Sequence, residues 1–454
     1  MSSLKTRIVS VLLLCCLLSA LMVFYFVLFF DDFQSESKPS SSLIIVSFAE
    51  MRPKNASKDD ISLRIAAKIE AKLPLPALNT SSEALALLRA LQLDLNAEQP
   101  PVADVWSLAH SWVTARQLLP PKAPQLSLVL RTLKTSRVLR ADVSRTGTQL
   151  KLLLELDGQQ RALFKPQRYS RQHVVSGDPY AGADRHNGEI VAFHLSRLLD
   201  LRVVPIVVSR RLRLSELRAV SSAALSATFT NDSCFYGECH YCSSFDSVCG
   251  DLEGRLEGSL HLMLPTKYKL QRVRNPWQRT YRPGVFAPWE REMDFCAAVV
   301  QRIPLRPRLL DIVDLAVFDF LIANADRHHF EVFKDVPNSA LLFIDNGKSF
   351  GDPHSHELSI LAPLSQCCVI RNSTYRRLQV LASAPLSAAV ESLLAADDSP
   401  EPLLTRNHLS ALDVRLRSVL VSKEYLIPLS KSDFAVQALI GACLEEKGKQ
   451  HVLK

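Results

Sequence analysis

The chain lacks the sequence features of several large functional classes. No set of cysteines and histidines has zinc-finger spacing, and no segment combines aromatic and basic residues as ribonucleoprotein motifs do, so nucleic-acid binding has little support. A Walker motif is absent, because Leu342 stands where the glycine should precede Gly347-Lys348-Ser349. The Asp-x-Asp motif that is typical of glycosyltransferases is also missing, and the sequence offers only Glu292-Met293-Asp294 in its place.

The overall composition is that of a globular protein with little bias. At 454 residues the chain is long enough to bury a full core in one large domain or two lobes. Apolar residues make up 47% and charged residues 22%, which are ordinary values. The net charge of +8 is mild and is usual for a solvated surface, although it also suits acidic partners such as nucleotide phosphates.

One long apolar run stands near the N-terminus. Residues 8–30, IVSVLLLCCLLSALMVFYFVLFF, carry no charge and are long enough to cross a bilayer as a helix. A cleaved signal peptide would have a shorter apolar core and a small-residue cleavage site, whereas this run ends in Phe29 and Phe30. Basic residues precede the run and acidic residues follow it. We therefore expect a cytosolic tail at 1–7, a transmembrane signal anchor at 8–30 and a luminal body, which is type II topology.

A luminal body explains the remaining cysteines and the glycosylation sequons. Eight cysteines follow the apolar run: Cys234, Cys239, Cys242, Cys249, Cys296, Cys367, Cys368 and Cys443. An even number in an oxidising compartment indicates disulfides, although eight cysteines allow 105 pairings. A zinc site at Cys239 and Cys242 would need a second Cys-x-x-Cys pair, which is missing. Four sequons, at Asn55, Asn79, Asn231 and Asn372, also follow the run and predict a glycoprotein.

The order of local patterns predicts an α+β fold. Residues 31–104 contain Ser- and Pro-rich stretches and are interpreted as a luminal stem, with helical patches at 61–73 and 83–95. Strands are predicted within 137–165, around an Asp157-Gly158 turn, and at 203–209, 260–264 and 340–344. An amphipathic helix is predicted at 184–199, and helices dominate after residue 289. A strand-rich half followed by a helical half indicates two lobes.

Two carboxylates stand at positions that suit phosphoryl transfer. One apolar run, within LLDIVDLAVFDFLIANADRHHF from residue 309, leads to Asp326, and a second, at 340–344, leads to Asp345. Each carboxylate follows a buried element and can therefore face a cleft. In phosphoryl transfer one carboxylate accepts the proton of the attacking hydroxyl and another holds the metal that neutralises the phosphate oxygens.

Further residues follow in the order that kinases use. Lys165 ends a predicted strand, and Asp184 and Glu189 head the next helix. Glu331 lies five positions after Asp326, where protein kinases carry an Asn that helps with metal or nucleotide. The Asp-Asn-Gly turn that begins at Asp345 resembles the Asp-Phe-Gly turn of kinases.

Each of these residues also has a structural interpretation. Asp326 could cap a helix, Lys165 could be a solvated strand-end lysine, and the adjacent His328 and His329 cannot converge on one metal. The glycine-rich loop of kinases is absent, with only Gly147 in SRTGTQ. It is the order of the motifs along the chain that favours a kinase-like site.

Five longer segments carry a resemblance to a known family. They resemble the secretory-pathway kinases, which include the Golgi casein kinase and the glycosaminoglycan xylosylkinase. The five segments are GTQLKLLLELDGQQRALFKPQRYSRQHVVSGDPYAGADRHNGEIVAFHL, CFYGECHYC, LLDIVDLAVFDFLIANADRHHFE, IDNGKSF and SILAPLSQCCVIRNST. The similarity covers about residues 105–445, which we take as the catalytic domain. RYSRQHVVSGDPYAGADRHN and the two-residue gap in CHYC are closer to the xylosylkinase branch.

The resemblance implies a fold, cofactors and residue roles. The fold would be an atypical two-lobed protein-kinase-like fold, stabilised by disulfides, with ATP and Mn²⁺ (or Mg²⁺) as cofactors. Asp326 would be catalytic, and Asp184 and Asp345 would bind the metal. The nucleotide would contact Gln149, Lys165, His261, Leu262, Met263, Leu264, Glu331 and Asp345. The implied disulfides are Cys234–Cys249, Cys239–Cys242, Cys296–Cys367 and Cys368–Cys443.

The function that the resemblance implies is phosphorylation of a sugar. The expected acceptor is the xylose that links glycosaminoglycan chains to proteoglycan core proteins, and the expected place is the Golgi membrane. A secretory-pathway kinase for Ser in acidic motifs is the alternative. A binding-only pseudokinase is disfavoured because Asp184, Asp326 and Asp345 are all present. A xylosylated core protein, the membrane and a second family member are the expected partners.

Overall fold

The computed structural model describes residues 81–429, apart from short gaps at 99, 101, 146, 293–294, 303–305, 397–401 and 422–426. The predicted tail and membrane segment, most of the predicted stem, the sequons at Asn55 and Asn79, and Cys443 therefore lie outside the described residues. Within that part of the chain no single helix is long and apolar enough to span a membrane. Two helices, at 372–382 and 386–396, reach that length only together and across a 90° bend.

Helices and strands are numbered here in chain order. The helices are α1 Ser82–Asn96, α2 Val105–Ser111, α3 Leu126–Thr135, α4 His186–Leu198, α5 Leu214–Ala219, α6 Ala223–Ser226, α7 Pro288–Arg291, α8 Phe295–Val300, α9 Leu309–Ile322, α10 Ala362–Cys367, α11 Asn372–Ala382, α12 Leu386–Ala396 and α13 Arg406–Val421. The strands are β1 Val138–Val143, β2 Leu152–Leu156, β3 Gln160–Pro166, β4 Val207–Arg213, β5 Phe229–Asn231, β6 Cys234–Phe235, β7 Val248–Cys249, β8 Arg255–Leu262, β9 Leu270–Arg274, β10 His329–Phe333, β11 Val369–Arg371 and β12 Ile427–Leu429.

A five-stranded antiparallel sheet forms the strand-rich part, in the order β1-β2-β3-β8-β4. The three strands predicted within 137–165 are confirmed. Gly158 makes the predicted reversal between β2 and β3 with a φ of 75°, a conformation that glycine adopts without strain. The α+β class is confirmed, since the sheet precedes a mainly helical part that begins at α7.

Three strand predictions need correction. The strand predicted at 203–209 is β4, four residues later, and the one at 260–264 is the end of the longer β8. Residues 340–344 form no strand, and Leu342 makes only an isolated bridge to Glu331. This run is apolar because Leu341, Leu342 and Phe343 are buried in the core, and burial alone does not supply a strand partner. The β9–β10 pair was missed because β9, LQRVR, is charged and mostly exposed.

Two buried helices carry the site. All thirteen residues of α4 are buried, more than the amphipathic helix predicted at 184–199, because α4 packs against β4, β8 and α12. Every residue of α9 except Leu310 is buried. The helix α9 ends where Ala323 takes a left-handed φ of 56° and donates its N–H to the Asp319 and Phe320 carbonyls. This end turns the chain toward Asp326.

The helix α1 lies in the segment that was predicted as stem, close to its predicted patch at 83–95. Ser81 caps it by accepting the Ala84 N–H, and Leu91 and Leu95 join the main core. Side chains of α1 also reach α12, since the Gln92 amide donates to the Ser392 hydroxyl. The boundary of the catalytic domain near residue 104 stays a prediction.

Three of the implied disulfides are present: Cys234–Cys249, Cys239–Cys242 and Cys296–Cys367. Cys368 is also disulfide-bonded, and its implied partner, Cys443, lies outside the described residues. Of the sequons in the described part, Asn231 is exposed in β5 and Asn372 is the first residue of α11. Glycosylation at either asparagine stays a prediction.

Candidate active site

The centre of the site is a lysine that contacts three carboxylates. At the end of β3, Lys165 Nζ lies 2.5 Å from Glu189 Oε1, 2.6 Å from Asp345 Oδ1 and 3.3 Å from Asp184 Oδ2. The lysine side chain is only 6% exposed. Burial alone would lower the pKa of Lys165, but the charges of Asp345, Glu189 and Asp184 outweigh it and hold that pKa well above the usual value. We call these four residues the Lys165 cluster.

The two carboxylates predicted to bind metal differ in their surroundings. Asp345 has a left-handed φ of 68°, and its side chain is 51% exposed. The charge of Lys165 holds the pKa of Asp345 far below its usual value. Asp184 is buried just before α4, and burial raises its pKa. Asp345 therefore stays charged near neutral pH and is half exposed, whereas Asp184 is buried.

The turn after Asp345 is fixed by the rest of the cluster. Asn346 donates its backbone N–H to Glu189 Oε1 at 3.0 Å and its side-chain amide to Glu189 Oε2 at 3.3 Å. The Asn346 amide oxygen accepts from Arg327 Nη2 at 2.7 Å. A Cβ atom on Gly347 would lie 2.6 Å from the Cγ of Asp184, so only glycine allows the turn to approach that carboxylate so closely.

Asp326 stands on a rigid segment after α9. Its N–H donates to the Asn324 side-chain oxygen at 3.1 Å. The next residue, Arg327, is paired in two parallel bonds with Asp319, each 2.9 Å long, so the backbone is held on both sides of Asp326. The Asp326 side chain is 21% exposed. A carboxylate in this position can meet a substrate hydroxyl.

A tyrosine that sequence analysis did not select contacts this carboxylate. The Tyr281 hydroxyl donates to Asp326 Oδ1 at 2.6 Å. Burial raises the pKa of Tyr281, and the hydrogen bond and charge of Asp326 raise it further, so the phenol stays protonated and remains a donor. The Tyr281 ring meets the Tyr180 ring edge-on, with centroids 4.9 Å apart. No local pattern marks Tyr281 in the sequence, whereas Tyr180 lies in the segment RYSRQHVVSGDPYAGADRHN.

Of the other residues predicted to contact the nucleotide, Gln149 lies at the Lys165 cluster and Glu331 contacts other residues. Gln149 lies at the cluster, where its side-chain oxygen accepts the Asp184 N–H at 3.4 Å. Glu331, in β10, instead contacts His329 at 3.3 Å and Arg272 at 3.4 Å. The structure therefore brings Gln149 to Asp184 of the Lys165 cluster, whereas the described contacts of Glu331 are with residues outside that cluster.

Residues 261–264, predicted to lie against adenine, are the end of β8 and the segment after it. Burial lowers the pKa of His261 to about 4, so its imidazole is neutral near pH 7. The Leu262 N–H donates to the Ile206 carbonyl, and the Met263 N–H donates to the Arg161 carbonyl. Leu264 packs against a small apolar cluster. These backbone bonds fix the segment beside the sheet.

Several supporting residues were not predicted. The sequence places Glu189 at the head of a helix but does not identify it as the partner of Lys165. Arg327 and Asn346, which join the two aspartate segments, were also missed. Their positions next to Asp326 and Asp345 are the signal that could have identified them. Lys151 is a further buried lysine of this region, and burial lowers its pKa.

Comparisons with known proteins show which family the chain belongs to. A family model described as Golgi casein kinase, C-terminal, Fam20, matches residues 104–428. Human (Homo sapiens) glycosaminoglycan xylosylkinase is 47% identical over 340 residues, which are 73% of this chain and 81% of that protein. The structure of hydra Fam20 with sugar matches with a TM-score of 0.67 and 38% identity, over 77% of this chain and 98% of that one. The Golgi casein kinase with Mn/ADP bound matches with a TM-score of 0.67 and 27% identity, over 86% of this chain and 93% of that one. The fold is that of the Fam20 kinases, and the chain belongs to the Fam20 family.

Proposed function

We propose that this chain is an ATP-dependent kinase that phosphorylates the xylose linking glycosaminoglycan chains to proteoglycan core proteins. The observation that carries the proposal is the 47% identity with human glycosaminoglycan xylosylkinase across 81% of that protein. The site supplies what phosphoryl transfer needs, namely a held carboxylate for the acceptor and a charged cluster for the phosphates.

Asp326 is the proposed base on the acceptor side. A xylose hydroxyl donates its proton to this carboxylate while its oxygen forms a bond to the γ-phosphorus of ATP. The bond between that phosphorus and the oxygen bridging to the β-phosphate breaks, and ADP leaves with the bonding electrons. Position decides most of the rate in such a reaction, so the fixed backbone around Asp326 is an essential part of the proposal.

Lys165 is the proposed phosphate contact on the donor side. Its raised pKa keeps the ammonium charged, and its Nζ is already held by Glu189, Asp184 and Asp345. Gln149 would contact the nucleotide near the same point, and residues 261–264 would lie against adenine. Glu331 is proposed as a further residue on the nucleotide side.

Asp184 and Asp345 are the proposed ligands for Mn²⁺ or Mg²⁺. Among the described residues no group of three or more His, Cys, Asp or Glu side chains forms a complete metal site. Asp184 and Asp345 nevertheless meet at one lysine atom, and two carboxylates suit an ion that keeps its other positions for water and phosphate oxygens. When bound, such an ion would neutralise charge on the phosphates. A relative crystallised with Mn/ADP supports this choice.

We further propose that the chain works as a type II membrane protein of the Golgi. The charge-free run at 8–30 supports one N-terminal anchor, and the three disulfides support an oxidising lumen. The partners would be a xylosylated core protein and, through dimer formation, a second family member.

Phosphate transfer to two acceptors tests the proposed function. The full chain, produced through the secretory route, is incubated with labelled ATP and Mn²⁺, with a xylose–galactose acceptor and an acidic Ser peptide in parallel. Label is expected on the sugar, and Asp326→Ala should abolish most of it. Label on the peptide alone would support the alternative protein kinase, and label on neither acceptor would contradict a kinase of either kind.

A further inference from the structure

The loop that carries Tyr281 is anchored at both ends. We call residues 275–287, between β9 and α7, the tyrosine loop. Asn275 donates its backbone N–H to the His328 carbonyl at 3.0 Å and its side-chain amide to the Arg327 carbonyl at 2.8 Å. At the other end Trp289 donates its indole N–H to the Gln278 carbonyl at 2.8 Å. The loop is therefore tied directly to the segment that carries Asp326.

The tip of the loop is also held by contacts of its own. The Thr280 hydroxyl donates to the Val285 carbonyl, and the Val285 N–H donates to Arg282 at 3.2 Å. Arg279 contacts the Ser359 hydroxyl and lies 3.4 Å from Glu357. Tyr281 is 49% exposed, yet these bonds fix its backbone. Because the loop is restrained, the Tyr281 hydroxyl can orient a side chain to which it donates a hydrogen bond.

The two oxygens of the Asp326 carboxylate are in different situations. Oδ1 accepts the Tyr281 hydroxyl at 2.6 Å, and His328 Nδ1 is 3.9 Å from the same oxygen. Within the described part of the chain no hydrogen bond involves Oδ2. A carboxylate without a partner can rotate and present either oxygen, whereas a bond to one oxygen fixes the plane of the group. This is the arrangement in which a third residue orients a catalytic base.

From this geometry we propose that Tyr281 is a positioning residue: its hydroxyl holds Asp326 Oδ1 so that Oδ2 faces the acceptor hydroxyl. The proposal rests on the proposed function, since it assigns to Asp326 the proton of the acceptor. It predicts that the Tyr281 hydroxyl matters for the transfer step and not for binding of either substrate.

Tyr281→Phe removes the hydroxyl and keeps the ring against Tyr180. With the xylose–galactose acceptor and Mn-ATP, kcat should fall about 10-fold, the loss expected when a hydrogen bond to a charged group disappears. The KM values for acceptor and ATP should stay at the wild-type level. A wild-type kcat in the folded variant would overturn the proposal, as would a rise in acceptor KM with kcat unchanged.

Tyr180→Phe is the matched control. It removes a hydroxyl from the other ring of the same edge-on pair, and among the described residues no hydrogen bond joins the Tyr180 hydroxyl to Asp326. We expect kcat to remain at the wild-type level. An equal loss of kcat in Tyr180→Phe and Tyr281→Phe would show a general effect on the ring pair and would contradict positioning of Asp326.

A double variant asks whether Tyr281 acts through Asp326. Adding Tyr281→Phe to Asp326→Ala should not lower the residual rate further, because the group that Tyr281 orients is already gone. A further loss equal to that in the single variant would overturn the proposal. If the wild-type chain labels only the peptide, the proposed function is wrong, and the same comparison made on the peptide still decides the role of Tyr281.

Discussion

The two sides of the candidate site are built in opposite ways. The Lys165 cluster joins three carboxylates around one buried ammonium, with contacts of 2.5 to 3.3 Å. The acceptor side consists of a partly exposed carboxylate, Asp326, and one half-exposed phenol, Tyr281. Buried charges persist only when they compensate one another, so the cluster must be assembled by the fold itself. The acceptor side keeps one carboxylate oxygen available for a substrate.

The largest effect is expected from breaking the acceptor side alone. Asp326→Ala should lower kcat about 10²–10⁴-fold, the usual contribution of a general base. The unfolding midpoint and the KM for ATP should change little, because no part of the Lys165 cluster contacts this side chain in the described structure. Steady-state kinetics and thermal unfolding test both points. A folded Asp326→Ala chain with the parent rate would show that another group accepts the proton.

Breaking the donor side should instead affect stability as well as activity. Lys165→Met leaves three carboxylates around a neutral side chain, and loss of one partner from buried charge pairs costs about 3–5 kcal/mol. Adding Glu189→Gln removes one of the uncompensated charges, so the double variant should be more stable than Lys165→Met alone. Denaturant unfolding measures both variants. A double variant less stable than the single one would contradict charge compensation as the force that holds the cluster.

The disulfides allow the stability that a long-range link contributes to be compared with that of a local link. Cys296–Cys367 spans 71 residues and lies next to Gln366, which accepts the Trp277 indole N–H of the tyrosine loop at 2.7 Å. In the chain-entropy model a loop of this length is worth about 4 kcal/mol, whereas the three-residue separation of Cys239–Cys242 is worth about 2 kcal/mol. Replacing each pair by alanine and measuring unfolding should give that order. Equal losses would show that loop length does not decide their contributions.

The smallest effect is expected from protonation of His261, which lies in the segment predicted to contact adenine. Burial lowers the pKa of His261 from 6.5 to about 4. Between these pH values the unfolded chain binds a proton that the folded chain does not, so stability falls as the pH drops through this window. The loss at pH 5 is about 2 kcal/mol by linkage. His261→Asn should show a smaller change in unfolding free energy between pH 7 and pH 5. An unchanged pH dependence would contradict an imidazole that its surroundings hold neutral.

The fold could be predicted where local pattern and tertiary context agree. Strands β1, β2 and β3 are short segments rich in apolar residues, and β2 and β3 flank the Gly158 turn, so sequence alone located them. The β9–β10 pair depends on contacts between segments that are far apart in the chain, and β9 has no apolar alternation to reveal it. The residues at 340–344 show the reverse error, since their apolar run predicts a strand although their burial comes from neighbouring helices and loops.

The site divides in the same way. Four site residues lie next to buried elements, whose apolar segments can be recognised in the sequence. They are Lys165, Asp184, Asp326 and Asp345. Tyr281 lies on an exposed loop without periodicity, so only its tertiary contact with Asp326 reveals it. The acceptor side was therefore harder to predict than the donor side, because exposed loops carry few sequence constraints that relate to packing.

Nucleotide affinity in two variants tests most directly whether the two sides have separate tasks. Calorimetry with Mn-ATP should show binding weakened at least about tenfold in Asp345→Asn, as expected when one charged ligand of a metal–phosphate site is lost. Asp326→Ala should bind Mn-ATP as the wild-type chain does, although it transfers almost no phosphate. Unchanged affinity in Asp345→Asn, or an equal loss in both variants, would contradict the division of the site into donor and acceptor sides.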